Sequence, residues 1–377
     1  MNHHPLYCIL PPYMLNEIAK RGNPAQRDFA IRTLRFTEQM RGQRLAVMDM
    51  PVLIHLPVAS DVKNRIIYDV KRGSTLPGTV VRQEGDPPSA DVAVNEAYDG
   101  SGVTYDLYRD IYSRHSIDGN GMTLKSSVHY QKGYDNAFWE GSQMVYGDGD
   151  EDLPVDQRLF NRFTIAIDVI GHELTHGVTQ FTAKLVYNQQ SGALNESMSD
   201  VFGSLVKQYQ LQQTASQADW IIGAGLFTSN VNGVGIRSMK APGTAYDDPV
   251  LGKDPQPATM EDYVDTTSDN GGVHINSGIP NHAFYITAVE IGGSAWEKAG
   301  AIWYEALTSR LNATANFQTA ASQTFQAAGE KYGTGSLEQQ AVKKGWAAVG
   351  IDAEATGIPP ETCLERLLRL IGAAPAR

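Results

Sequence analysis

Cysteine is nearly absent from this sequence. Cys8 and Cys363 are the two thiols among 377 residues, which excludes a disulfide scaffold and any cysteine-rich zinc module. Long apolar runs are missing too, so no membrane span is expected. The first residues, MNHHPLYCILPPYML, carry no basic lead, and Pro11-Pro12 breaks their short apolar stretch. They do not read as a secretory signal, and the expected location is cytoplasmic as synthesised, or outside the cell by a signal-independent route. Basic charge is in deficit, 31 Lys and Arg against 42 Asp and Glu, for a net −11. That excludes a nucleic-acid partner, which requires a clustered basic excess. What is present is a globular composition, 42% apolar and 19% charged, in a chain long enough to bury a large core without staples.

The charge is unevenly spread. Residues 1–50 hold seven basic and four acidic side chains, a local +3 that leaves −14 for residues 51–377. Asn23-Pro24 reads as an N-cap and first-turn pair, followed by Phe29, Thr33, Phe36 and Met40 at helical spacing. This suggests a detachable basic segment lying on an acidic body. Residues 52–150 are rich in strand signals: IIYDV, GTVVRQ and TLKSSVHY, with a hairpin expected at Gly119-Asn120-Gly121 and one helix near 90–115. GDGDED at 147–152 lacks the glycine of a calcium loop and reads as a solvated acidic turn. From about 165 the spacing turns helical, over 165–182, 193–210, 280–291, 295–310 and 336–349. The tail 353–377 ends in an amphipathic CLERLLRLIG, read as an appended helix. No internal repeat is present.

The chemistry concentrates in His172-Glu173-Leu174-Thr175-His176. Positions i and i+4 share a helix face, so both imidazoles can reach one zinc ion, with Glu173 beside them to take a proton from water. Zinc in a hydrolase needs a third protein ligand and an open position. The class that supplies a third histidine six residues on, with a glycine midway, is excluded because Thr182 and Thr179 stand there. A carboxylate from a following helix remains, and Asn195-Glu196-Ser197-Met198-Ser199-Asp200 provides one. Glu196 and Asp200 again share a face: Glu196 can ligate, and Asp200 can fix the tautomer of a ligand histidine.

HELTHGVTQFTAKLVYNQQSGALNESMSD resembles the zinc-binding core of the thermolysin family, including the nineteen residues between His176 and Glu196. YDNAFWEGSQMVYGDGD at 134–150, IRSMKAP at 236–242 and DNGGVHINSGIPNHAFY at 269–285 resemble three further segments of that family, so the likeness covers roughly 60–352. It implies an α+β, two-domain metalloprotease. A β-rich N-terminal domain (51–164) would precede a helical C-terminal domain (165–352), with the zinc helix between them. It implies one catalytic zinc on His172, His176 and Glu196, Glu173 as general base, His274 oriented by Asp269 and aided by Tyr187 at the oxyanion, and Asp200 behind the ligands. It also implies that Arg237, Asn136 and the Ala137 backbone hold substrate, with Phe160, Phe163, Val169 and Ile236 around an apolar S1′ pocket. The expected reaction is endopeptidase cleavage on the N-terminal side of bulky apolar residues.

Two departures qualify the resemblance. The double calcium site of better-known members requires an acid eleven residues after Glu196; Lys207 stands there, although Asp168 matches another ligand. That site is expected to be lost, and calcium content is left open. Only about 50 residues precede the catalytic body, and they carry CILPPYML at 8–15, which resembles the protealysin-like branch with its short prosegment. An autoinhibitory, self-removed segment follows, cut somewhere in 45–60, with Cys8 a candidate latch whose thiolate would take the open zinc position. Expected partners are protein or peptide substrates, the chain's own prosegment, and a dedicated protein inhibitor of the kind this branch can have. The competing functions are a catalytically silent metal-binding pseudoprotease and a zinc exopeptidase or amidase.

Overall fold

The computed structural model describes residues 7–47 and 62–355, side chains of 41–47 aside. The expected cleavage region, apart from residues 45–47, and nearly all of the tail helix with Cys363 lie outside the described residues.

The N-terminal segment forms a short strand, β1 (Tyr7–Cys8), and two helices, α1 (Pro12–Arg21) and α2 (Pro24–Val47). The start of α2 is as expected: Asn23 Oδ1 accepts from the N–H groups of Ala25 and Gln26 at 3.0 Å each, satisfying donors that a first turn leaves over. Phe29, Ala30, Thr33 and Thr37 are its buried face. Phe29 lies flat on Gly133, where a Cβ would stand 2.6 Å from the ring, and Thr33 Oγ1 accepts from the Asp135 N–H at 3.0 Å. Helix α1 was not anticipated. Pro12 opens it, and Met14, Leu15 and Ile18 are buried as part of the main apolar core, with α2 packed alongside.

The body contributes β2 (Arg65–Asp69), β3 (Thr79–Gln83), α3 (Val92–Asp106), β4 (Leu124–Val128), β5 (Ala137–Trp139) and β6 (Met144–Tyr146). With β1 they make a six-stranded mixed sheet in the order β1-β5-β6-β4-β2-β3. The strand readings hold to within two residues at each end, but the hairpin expected at 119–121 does not form. The chain reaches β4 from a helix, and β4 enters the sheet parallel to β2, so no antiparallel partner precedes the glycines. They sit in a turn organised by Asp118 Oδ1, which accepts from the N–H groups of Asn120 and Met122. The acidic 147–152 stretch is a turn, as expected, but not a solvated one: Asp148 and Asp150 are buried, and Asp150 Oδ2 accepts from the Leu159 and Phe160 N–H groups at 2.7 and 3.0 Å.

The remainder is helical: α4 (Ile167–Phe181), α5 (Gln189–Leu211), α6 (Asp269–Asn276), α7 (Gly278–Ile291), α8 (Ala299–Glu305), α9 (Phe317–Tyr332) and α10 (Leu337–Ala348). Between α5 and α6 run the two-residue strands β7 (Ile221–Ile222), β8 (Arg237–Ser238), β9 (Asp247–Asp248) and β10 (Gly252–Lys253). Helix α9 is an addition to the sequence reading. Helices α4 and α5 approach closely because two glycines face each other. A Cβ on Gly171 would stand 3.1 Å from the Gly203 Cα, and one on Gly203 would collide with the Asp168 carbonyl. No helix among the described residues is long and apolar enough to cross a membrane.

Candidate active site

Helix α4 carries His172, Glu173 and His176; α5 carries Glu196 and Asp200. All five are buried. The Nε2 atoms of the two histidines are 3.0 Å apart, and each is 3.5 Å from an oxygen of Glu196. Ligands at about 2.0–2.1 Å from a tetrahedral zinc are about 3.3 Å from one another, so these spacings fit one ion. Glu196 Oε2 is buried with no hydrogen-bond partner, a costly arrangement that a bound cation would relieve. The distal ring nitrogens are already committed. His172 Nδ1 donates to Asp200 Oδ1 at 2.8 Å, and His176 Nδ1 donates to Asn195 Oδ1 at 2.9 Å, with Ser199 Oγ 3.0 Å away. Those bonds fix the tautomers that turn both Nε2 lone pairs inward. Burial pushes His176 well below its ordinary pKa, which favours the neutral form a metal ligand must have. His172, His176 and Glu196 form the one such cluster among the described residues.

Around this cluster the remaining expected residues assemble. Burial raises the Glu173 pKa well above the carboxylate range and the Glu196 charge adds to it, while the N–H groups of Trp139 and Ile9 pull the other way. The Trp139 N–H donates to Glu173 Oε2 at 3.0 Å. His274 sits after a left-handed turn, Asn270 to Gly272, with φ of 51°, 82° and 74°. Glycine adopts that conformation without strain. The turn brings Asp269 Oδ1 within 2.6 Å of His274 Nδ1. Burial alone would lower the His274 pKa, but the charges of Asp269 and Glu196 outweigh it and raise it. The Tyr187 hydroxyl donates to Glu196 and lies 3.1 Å from His274 Nε2. Arg237 makes a two-pronged bond to Asp200, 2.8 Å on each side. Asp200 also accepts from Asn281 Nδ2 at 2.8 Å. Burial would raise Asp200; Arg237 and His172 together hold it well below the usual range. Phe160, Phe163, Val169 and Ile236 are fully buried in the main apolar core.

The cleft between these groups is filled by the N-terminal segment. Strand β1 runs antiparallel to β5, pairing Tyr7 with Trp139 and Cys8 with Phe138. The Tyr7 ring stacks on His176 at 4.4 Å, with 12° between planes. His274 Nε2 donates to the Cys8 carbonyl at 3.1 Å. The Ile9 N–H donates to the Ala137 carbonyl at 3.2 Å, and Arg237 donates to the Ile9 carbonyl at 3.1 Å. Asn136 both accepts from the Leu10 N–H and donates to its carbonyl, at 2.9 and 3.2 Å. The thiolate latch on Cys8 needs correction. Its sulfur is not among the clustered metal-ligating atoms; the side chain packs with Val70, Tyr130, Tyr134, Phe138 and Val145. The strand's alternation sends that side chain away while the carbonyl faces His274. Asn195, Ser199, Asn281 and the cleft-filling residues Tyr7, Ile9 and Leu10 were not singled out from sequence. The place of Asn195, one residue before Glu196, and of Asn281, seven after His274, was the available signal.

The ammonium of Lys207 lies 2.9 Å from Asp168 Oδ2 on the zinc helix, 2.9 Å from Asp219 and 2.7 Å from the Ile221 carbonyl. A fixed cation thus occupies the position where calcium ligands were expected to be missing.

Two family models match the chain: the catalytic domain of thermolysin metallopeptidases over residues 58–180, and their alpha-helical domain over 183–351. An extracellular metalloprotease of Pectobacterium carotovorum subsp. carotovorum is 49% identical over 354 residues, 93% of this chain and 98% of that protein. Protease PrtS of a Photorhabdus strain is 50% identical over 305 residues, 80% of this chain and 81% of its own. Among solved structures, the precursor of protealysin, a metalloproteinase from Serratia proteamaculans, superposes with a TM-score of 0.82 at 51% identity. It covers 92% of this chain and 99% of that one.

Proposed function

The chain belongs to the thermolysin family of zinc metallopeptidases, and from that premise we propose an endopeptidase that cuts before bulky apolar residues and is made as a latent precursor that its own site processes. The observation that supports it is the peptide lying in the cleft. Every group expected to hold a substrate backbone is engaged by a backbone atom of residues 8–10.

His172, His176 and Glu196 would hold the zinc, which supplies a Lewis acid for the scissile carbonyl and strengthens water as an acid. Glu173 takes the proton of the attacking water and carries it to the departing amine. His274, oriented by Asp269, and Tyr187 donate where negative charge builds on the carbonyl oxygen. Arg237 and Asn136 fix the backbone beyond the cut, which lowers the entropic cost of reaching the reacting geometry. Phe160, Phe163, Val169 and Ile236 offer the residue after the cut an apolar surround.

The test is casein hydrolysis by the processed enzyme. Activity is expected to vanish with phenanthroline and to fall by several orders of magnitude in Glu173→Ala. A Glu173→Ala enzyme as active as wild type would overturn the assignment. For latency, the wild-type chain should shorten during incubation while the Glu173→Ala chain keeps its N-terminus.

A further inference from the structure

We propose that the Cys8–Ile9 peptide bond is itself a cleavage site, hydrolysed in place by the chain that carries it. This rests on reading the site as a peptide hydrolase, and goes beyond it by naming a bond distinct from the junction expected in 45–60. The argument is one of register. A hydrolysable bond must present its carbonyl oxygen to the oxyanion donors and its nitrogen to the group that returns a proton. Here the carbonyl between His274 and the rest of the segment is that of Cys8. The next N–H, that of Ile9, faces the Ala137 carbonyl and also bears on the Glu173 carboxylate. The following carbonyl is held by Arg237 and the following residue by both ends of the Asn136 amide. Ile9, the residue after the bond, is a bulky apolar side chain with no exposure. A segment threaded the other way along β5 would put N–H groups where these donors need acceptors. Residues 7–10 are therefore laid out as a substrate, with the bond to be broken between the oxyanion donor and the base.

The step balances with water as the co-reactant. Its oxygen bonds to the Cys8 carbonyl carbon, Glu173 takes one proton and passes it to the Ile9 nitrogen, the C–N bond breaks, and the second water proton follows to the amine, which leaves as an ammonium. The products are the peptide 1–8, ending in a carboxylate, and a chain beginning at Ile9. That chain keeps its Asn136 and Arg237 contacts and the buried face of α1, so the nick precedes activation rather than causing it.

Zinc-loaded full-length protein, followed by intact mass and N-terminal sequencing, tests this. The expected result is an Ile9 N-terminus that appears at a rate independent of protein concentration, is absent from Glu173→Ala, and slows at least tenfold in Ile9→Asp. Register is read without turnover from a carbon-13 label on the Cys8 carbonyl in Glu173→Ala, whose signal should move when His274 is also changed to Ala. An intact 8–9 bond in a preparation whose processed enzyme cleaves casein would sink the proposal and leave the hydrolase reading standing. Failure of the processed enzyme to cleave casein would remove both. An Ile9 N-terminus in the Glu173→Ala chain would assign the cut to another protease.

Discussion

Lys207 sets a buried ammonium against a carboxylate of the zinc helix. Burial opposes its charge, but Asp168 and Asp219 outweigh that and raise its pKa, so the ammonium persists and neutralises a buried carboxylate on the zinc helix. Lys207→Met leaves Asp168 buried without its counter-charge, at a cost of about 3–5 kcal/mol. Thermal unfolding should show a large drop in midpoint. Chelating calcium from the wild type, zinc retained, should move the midpoint little; a large shift would mean that an ion does the work assigned here to the lysine. Asp269 is the second case. It orients His274 and favours its cation, so Asp269→Asn should lower kcat by about 10²-fold with KM nearly unchanged, the signature of an interaction made in the transition state. At this scale the zinc ligands were legible because metal chemistry demands fixed residue types at fixed spacing. Asn195, Ser199 and Asn281 were not: an amide or hydroxyl has many uses, and only tertiary packing brings these three to His176 and Asp200. Cys8 misled because its thiol is the conspicuous atom in sequence, whereas strand pleating turns its backbone carbonyl to the site.

Elements tied by a single titrating group respond to pH as units. His129 follows β4 and bridges the acidic turn after β6 to the start of α3, with Nδ1 2.8 Å from Asp148 and Nε2 2.8 Å from Asp91. Asp91 in turn caps α3, accepting from the Ala93 N–H at 2.9 Å. The hydrogen bond to Asp148 is the largest cause, burial works against it, and the charges of both carboxylates help raise His129 from 6.5 to about 9. A histidine whose pKa is higher in the folded state stabilises fully below its unfolded value and loses that contribution as pH rises through the folded one. Stability should therefore decline between about pH 6.5 and 9, by about 1–2 kcal/mol after discounting for a partly exposed ring. Chemical denaturation across that window should show the slope in the wild type and a flatter profile in His129→Gln; equal slopes would refute it. The helices and strands with strong periodicity were legible in the sequence. Helices α1 and α9 and the parallel entry of β4 were not, because short or weakly patterned stretches take their conformation from what they pack against.

Over the whole molecule, segment and body carry opposite net charge, +3 against −14, and the question is whether that attraction or apolar burial holds the segment in place. The ion pairs described within the segment, Lys20–Glu17, Arg21–Glu17 and Arg32–Asp28, are internal to it. Among the described residues, strand pairing, hydrogen bonds inside and outside the cleft, and apolar burial join it to the body. Met14, Leu15 and Ile18 alone, at 2% exposure or less, amount to about 5–9 kcal/mol as an upper bound. Exposed charge pairs contribute about 0–1 kcal/mol each and weaken with salt. The two accounts separate in the Glu173→Ala chain, which cannot process itself, by the rate at which added trypsin removes the segment. Leu15→Asp forces an unpaired carboxylate into an apolar contact and should speed removal at least tenfold. Raising salt to about 1 M, where screening reaches in to about 3 Å, should change the rate by a small factor only. Should salt loosen the segment as effectively as the buried aspartate, the +3 against −14 asymmetry would be the force that holds the cleft closed, and the apolar face of α1 a secondary contact.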